Sequence, residues 1–89
     1  MNFTTKSRYA VNALADLEYL SNYESPVALK DIADRQGIDL TYLEQLFRKL
    51  RIAGIVKSVR GRNGGYIYAS HPQEISIKRI MDAVEENLD

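Results

Sequence analysis

The sequence contains no cysteine. Disulfides, thiol catalysis and any zinc or iron–sulfur site built on cysteine are therefore excluded for this chain. Its one histidine, His71, stands beside Pro72 with no second ligand type near it. It is expected to be a surface loop residue, and neither a metal nor a cofactor is expected in these residues. No apolar run approaches the roughly 20 residues that a membrane helix needs. The start shows no signal peptide, because Lys6 and Arg8 lead into a segment of mixed polarity. A cytoplasmic protein with no membrane partner is expected. The glycines match neither the Walker spacing nor the dinucleotide fingerprint, so they are no nucleotide cradle. What remains is 89 residues, 45% apolar and 27% charged, the composition of one ordinary globular domain spanning 1–89 and able to fold without staples.

The formal net charge is zero, but the cancellation runs between segments. Residues 1–44 carry −3, residues 45–73 carry +6 and residues 74–89 carry −3. The middle block holds Arg48, Lys49, Arg51, Lys57, Arg60 and Arg62 with no Asp or Glu among them. A basic block between acidic flanks suggests a face for a polyanion. The plainer alternative is a solvated basic surface; the coincidence of the charge with a structural motif favours nucleic acid.

That motif begins at Asp39. In DLTYLEQLFRKLRIAG, apolar Leu40, Leu43, Leu46, Phe47 and Leu50 recur in steps of three and four, which is one face of a helix. Asp39 supplies an N-cap and Gly54 a left-handed C-terminal position. The other face carries Thr41, Tyr42, Gln45, Arg48 and Lys49, with Glu44 on its border: hydrogen-bonding side chains suited to base edges and cations suited to phosphate. Two short β-prone runs follow, IVKSV and YIYA, around RGRNGG. Asn63-Gly64 predicts a type I′ turn, and Arg60 and Arg62 sit at the tip. A thin arginine-tipped loop fits the minor groove, whose negative potential attracts guanidinium groups. The fold class expected is mainly α with a small β-hairpin, a winged helix-turn-helix.

The remainder supports it. Thr4 and Thr5 are candidate N-caps of a first helix to about Ser21, with Ala10, Ala13, Leu14, Leu17 and Leu20 as its buried stripe and Tyr9 near its start. Lys6 and Arg8 fall in its first turn, where the helix dipole disfavours cations. Either they await a phosphate at that helix end or they are simply solvated. Asn22 to Pro26 is a loop, and Val27 to Leu29 a short strand expected to pair with the wing. Lys30 to Gln36 is a second helix with Ile32 and Ala33 inward, stopped by Gly37, so that Gly37-Ile38-Asp39 forms the helix-turn-helix turn. Ser76 caps a last helix, with Ile75 and Ile80 spaced as a hydrophobic staple. Its stripe of Ile77, Ile80, Met81, Val84 and Leu88 runs on without a capping glycine. The helix over 76–89 therefore reads as cut short, and the sequence as the N-terminal part of something longer.

Four blocks now stand in order: T-x-K-S-R-Y-A-V at Thr4 to Val11, I-A-D-R-Q-G-I at Ile32 to Ile38, Y-L-E-Q-L-F at Tyr42 to Phe47, and V-R-G-R-N-G-G-Y at Val59 to Tyr66. Together they resemble the family of bacterial regulators that includes IscR, NsrR and CymR, and within it the IscR-like members. The resemblance implies a homodimeric winged-helix transcription regulator, usually a repressor, on a palindromic operator in double-stranded DNA. It implies that Thr41, Glu44 and Gln45 face bases in the major groove and that Arg60 enters the minor groove beside Arg62, Asn63 and Gly64. Many members sense through an iron–sulfur cluster held by three cysteines beyond the wing, followed by a long dimerisation helix. This sequence has no such cysteines, so it is either an isolated DNA-binding domain or a shortened, sensor-free member, and only weak self-association is expected at this length.

Two rival functions are open. A winged helix that binds protein instead of DNA predicts an apolar or acidic outer face on Leu40 to Ala53, whereas that face is polar and basic. An enzyme needs a nucleophile–base pairing, and none is evident with no cysteine, one histidine and scattered carboxylates. Glu44, the one acid bordering the basic face, has three explanations: closing a T-x-x-E capping box if the helix starts at Thr41, favouring the positive end of the helix dipole, or accepting a bond from a cytosine amino group.

Overall fold

The computed structural model describes residues 4–21 and 25–85. Its elements are α1 (Thr5–Ser21), α2 (Leu29–Gln36), α3 (Leu40–Ile52), β1 (Val56–Val59), β2 (Gly65–Tyr68) and α4 (Ile77–Glu85), with a short 3-10 turn over Pro72–Glu74. The expected loop position Asn22 and the stripe's end at Leu88 lie outside the described residues. No described helix is long and apolar enough to cross a membrane.

Thr4 caps α1: its Oγ1 accepts a hydrogen bond from the Ser7 amide at 3.1 Å. Ala10, Ala13, Leu14 and Leu17 form the buried stripe, and Leu20 is half-buried against the core. The same face buries three polar groups that periodicity does not predict, Ser7, Asp16 and Ser21. Asp16 answers for its burial by clamping α1 to α2. It accepts from Gln36 Nε2 at 2.6 Å and lies 3.3 Å from the Arg35 guanidinium. Burying a carboxylate without such partners would be costly.

The helix-turn-helix forms as the punctuation residues dictate. Gly37 takes φ +67° and its amide donates to Ala33 O at 2.8 Å, a conformation that residues with a Cβ adopt reluctantly. Ile38 packs on the core, and Asp39 accepts from the Tyr42 amide at 2.9 Å as the cap of α3. At the far end Gly54 has φ +80°, its amide donates to Arg51 O, and the Ile55 amide reaches back to Leu50 O, each at 2.9 Å. That double bond pattern is a Schellman stop. The helix ends at Ile52, slightly short of the expected Ala53. Leu43, Leu46, Phe47 and Leu50 are fully buried, but Leu40, expected in that stripe, is 37% exposed. It occupies the first position of the helix and lines a groove toward the wing instead.

The wing pairs Val56 with Tyr68 through Val59 with Gly65. The expected type I′ turn at Asn63-Gly64 does not form. The closing bond runs from the Gly64 amide to Gly61 O at 3.0 Å, with Arg62 and Asn63 between them, and Gly64 does not adopt positive φ. The five residues between the strands make a wider tip than a two-residue turn would, and this carries Arg60, Arg62 and Asn63 outward. Val27 pairs with Tyr66 as expected, but as one bridge only, through reciprocal 2.9 Å bonds, because Leu29 already belongs to α2. A Cβ on Gly65 would overlap the Val27 carbonyl. Tyr66 then lays its ring edge-on against Phe47, with centroids 5.1 Å apart, and the Tyr68 hydroxyl donates to Leu14 O at 2.5 Å. These three contacts seat the wing on Val27, on α3 and on α1.

In α4, Ser76 Oγ accepts from the Arg79 amide at 3.0 Å, and Ile80 and Val84 are buried. Ile77, expected in the stripe, is 39% exposed; at the first position of the helix it points past the core, as Leu40 does. The bridge at Val27 gives a direct test. Gly65→Ala is expected to lower stability by roughly 1–3 kcal/mol, read as the shift of the urea midpoint. An unchanged midpoint would mean that the wing is not seated on Val27.

Candidate nucleic-acid interface

Helix α3, about 20 Å long, lies between the start of α1 on one flank and the wing on the other. On the first flank the Tyr42 ring packs edge-on against Tyr9, with centroids 5.7 Å apart. Tyr42 is thus half-buried, and its ring leans toward α1. On the second flank Leu40, Glu44, Arg48 and Arg51 line a groove of about 560 Å³ whose far wall is the start of α2 and Gly64 to Tyr66 of the wing. Between the flanks Thr41, Glu44, Gln45 and Arg48 are exposed. Lys49 is half-buried, and its charge acts on Glu85 of α4. Arg60, Arg62 and Asn63 are exposed at the wing tip. Gly64 is half-buried, and its part is geometric: a Cβ there would overlap the Val59 carbonyl. Arg51, outside the expected contact set, joins the groove wall. Its signal in the sequence is only its membership of the acid-free block.

The cations divide by location. On α2 and α4 each has a partner: Lys30 with Asp34 at 3.1 Å, Arg35 with Asp16, Lys78 with Asp82 at 2.8 Å, and Arg79 with Ala53 O at 3.1 Å. Arg8, Arg48, Arg51, Lys57, Arg60 and Arg62 have no hydrogen-bond or ion-pair partner among the described residues. Exposed pairs stabilise a fold only weakly, so the fold loses little by leaving these six unpaired. The result is a surface of positive charge spread over the start of α1, α3 and the wing.

Glu44 has no partner among the described residues either. Two of its three explanations fall away. Helix α3 starts at Leu40 with Asp39 as its cap, so Thr41 and Glu44 form no capping box. Its first turn holds no acid, and the dipole effect fades beyond that turn.

At the start of α1, Arg8 is exposed and Lys6 half-buried. A carboxylate already sits there. One oxygen of Glu85, at the end of α4, accepts from Ser7 Oγ at 2.6 Å and from Thr4 Oγ1. The Ser7 and Thr4 bonds hold the Glu85 carboxyl below the usual carboxylate pKa, and the charges of Lys6 and Lys49 act in the same direction. No sequence pattern announces a contact between residues 78 apart.

A helix–turn–helix whose second helix lies beside a small basic hairpin defines the winged helix-turn-helix class. The sequence pattern of Rrf2, described as iron-dependent transcriptional regulator, matches residues 3–89, and the chain belongs to that family. The HTH-type transcriptional regulator IscR of Aliivibrio salmonicida (strain LFI1238) is 53% identical over all 89 residues, which make up 52% of that relative. Its namesake from Pectobacterium atrosepticum is 49% identical, with 54% of its length covered. Among solved structures, CymR of B. subtilis, titled its global cysteine regulator, matches with a TM-score of 0.88 and 38% identity, covering 98% of this chain and 67% of that one. T. potens IscR matches with a TM-score of 0.86 and 47% identity, over 100% and 64%. The chain spans about half the length of the curated relatives it matches. The family description speaks of iron, which the residues present do not fit. There is no cysteine, and the described residues contain no group of three or more His, Cys, Asp or Glu placed to hold a metal ion.

The lowered Glu85 pKa has a signed consequence. Its folded value lies below the unfolded one, so its bonds to α1 contribute stability above the unfolded carboxylate range and lose it as pH falls through the folded value. Glu85→Gln should therefore unfold with a flatter dependence on pH at the acid end than the parent chain. Parallel acid titrations followed by far-UV circular dichroism test this, and superimposable slopes would contradict it.

Proposed function

We propose that this domain binds double-stranded DNA in a sequence-specific way and regulates transcription, with α3 in the major groove and the wing in the adjacent minor groove. The observation that carries it is the set of six cations without partners among the described residues, on the start of α1, α3 and the wing, while the cations of α2 and α4 are engaged. Thr41, Glu44 and Gln45 are the base-facing side chains, Arg48 and Lys49 meet phosphate, and Arg60 with Arg62 enters the minor groove over Asn63 and Gly64. Tyr42 supports the reading helix through Tyr9, with its polar end available to the backbone. The domain works in the cytoplasm as a homodimer on a palindromic operator, the two copies of α3 meeting major grooves about 34 Å apart. It uses no cofactor held in these 89 residues. Occupying an operator excludes other proteins from the same stretch, so repression is the expected output.

Gel shifts with genomic fragments at two salt concentrations, followed by half-site and palindrome duplexes, test this. Arg60→Ala should weaken specific binding by roughly 1–3 kcal/mol. Lys57→Ala should weaken all sequences alike and flatten the salt dependence by about one phosphate. Unchanged operator affinity in Arg60→Ala and Arg62→Ala would remove the wing from the interface. A half-site bound as tightly as the palindrome would remove the dimer.

Glu44→Ala separates recognition from architecture. With its capping and first-turn explanations gone, the carboxylate is left to discriminate among bases, accepting from a cytosine amino group and repelling groups that present an acceptor. The variant should bind non-cognate DNA more tightly, with a thermal midpoint within about 2 °C of the parent, since surface changes of this kind move stability little. Binding across single-base variants of one site decides it; an unaltered preference profile contradicts the assignment.

A further inference from the structure

The start of α1 is both a flank of the proposed DNA surface and the seat of Glu85. Ser7 is 0% exposed, so its hydroxyl has no access to solvent and donates to Glu85 Oε2 at 2.6 Å. Thr4 caps the helix through its oxygen and donates its proton to the same carboxylate oxygen. Lys49, assigned to phosphate above, and Lys6, a candidate for a phosphate at this helix end, bring their charges to this carboxylate from α3 and α1. An anion from within the chain thus holds the position that a DNA phosphate would take at this helix end. Two anions cannot share these donors without strong repulsion.

Resting on the DNA-binding reading, we propose that Glu85 is a built-in competitor of DNA backbone phosphate: it holds the anion position at the start of α1 and offsets the charge of Lys6 and Lys49. Affinity for the DNA backbone is thereby kept below what the cations permit. The competitor is carried on α4, which is secured at its other end by the Arg79 bond to Ala53 O and along its length by Ile80 and Val84. Displacing the last turn of α4 from α1 withdraws the carboxylate and exposes the lysines, Ser7 and Thr4 together. Position of α4 is therefore converted into affinity for DNA, without any change in the residues that face the bases.

Glu85→Gln isolates the charge, because the amide oxygen still accepts from Ser7 and Thr4. Binding of the parent chain and the variant to a random-sequence 30-base-pair duplex is measured across a salt series, beside a thermal melt of each. The variant is expected to bind roughly threefold to tenfold more tightly at low salt, with a salt slope steeper by about one phosphate. Equal affinity and equal slope in a folded variant overturn the inference while leaving the DNA reading intact, and weaker binding does the same. If neither protein binds DNA at any salt, the DNA reading fails and this inference with it. Should the variant not fold, the parent chain alone decides: on adding the same duplex, the Glu85 carboxyl carbon and the Ser7 amide must shift in NMR spectra, and unmoved resonances overturn the competition.

Discussion

The seat of the wing is the constraint on which the rest depends. Gly65 brings the strand so close to Val27 that no side chain fits between them. The Val27–Tyr66 bridge then presents Tyr66 to Phe47, itself fully buried at the centre of α3. Because Phe47 also anchors α3 in the core, helix and wing are referred to one point. Two elements proposed to enter neighbouring grooves at a fixed spacing need such a common reference. Side chains displaced by even an ångström lose bidentate contacts. The groove between α3 and the wing is the visible result of that fixed spacing.

Stability and recognition use different residues here. The core is drawn from all four helices, Val27 and Ile55–Val56, and the polar clamp at Asp16 joins α1 to α2 from the buried side. Arg8, Arg48, Arg51, Lys57, Arg60 and Arg62 make no hydrogen bond or ion pair among the described residues. Like charges gathered on one surface repel mildly in water and strongly favour a polyanion once it arrives. Glu44 and Glu85 are acids beside these cations, one next to the side chains proposed to face bases and one next to the lysines proposed to face phosphate. On that reading each subtracts from general affinity at a different place.

Most of the fold was legible because short-range chemistry dictates it. Asp39, Gly37, Gly54, Ser76 and Thr4 all cap or stop helices as their types predict, and steps of three and four located Leu43, Leu46, Phe47 and Leu50. The misses have a shared cause. Leu40 and Ile77 fit the apolar stripes but stand at first helical positions, where the core no longer faces them. The Asn63-Gly64 signal was overridden because Gly64 packs against the Val59 carbonyl and the strands pair through Gly65. Local propensity yielded to tertiary register. Asp16, Ser7 and Glu85 escaped notice because polar residues carry no periodic signal, and their partners lie on other elements. The surface itself was visible as an acid-free basic block, but only the structure separates its cations without partners from those engaged elsewhere.

Affinity cleavage tests the central geometry most directly. An iron-chelate cutter attached at Arg62→Cys and, separately, at Thr41→Cys reports which groove each position occupies on a bound duplex. The account predicts cleavage from position 62 confined to one minor groove of each half-site, and cleavage from position 41 centred on the adjacent major groove. Diffuse cleavage from position 62, or the same pattern from both positions, would contradict it.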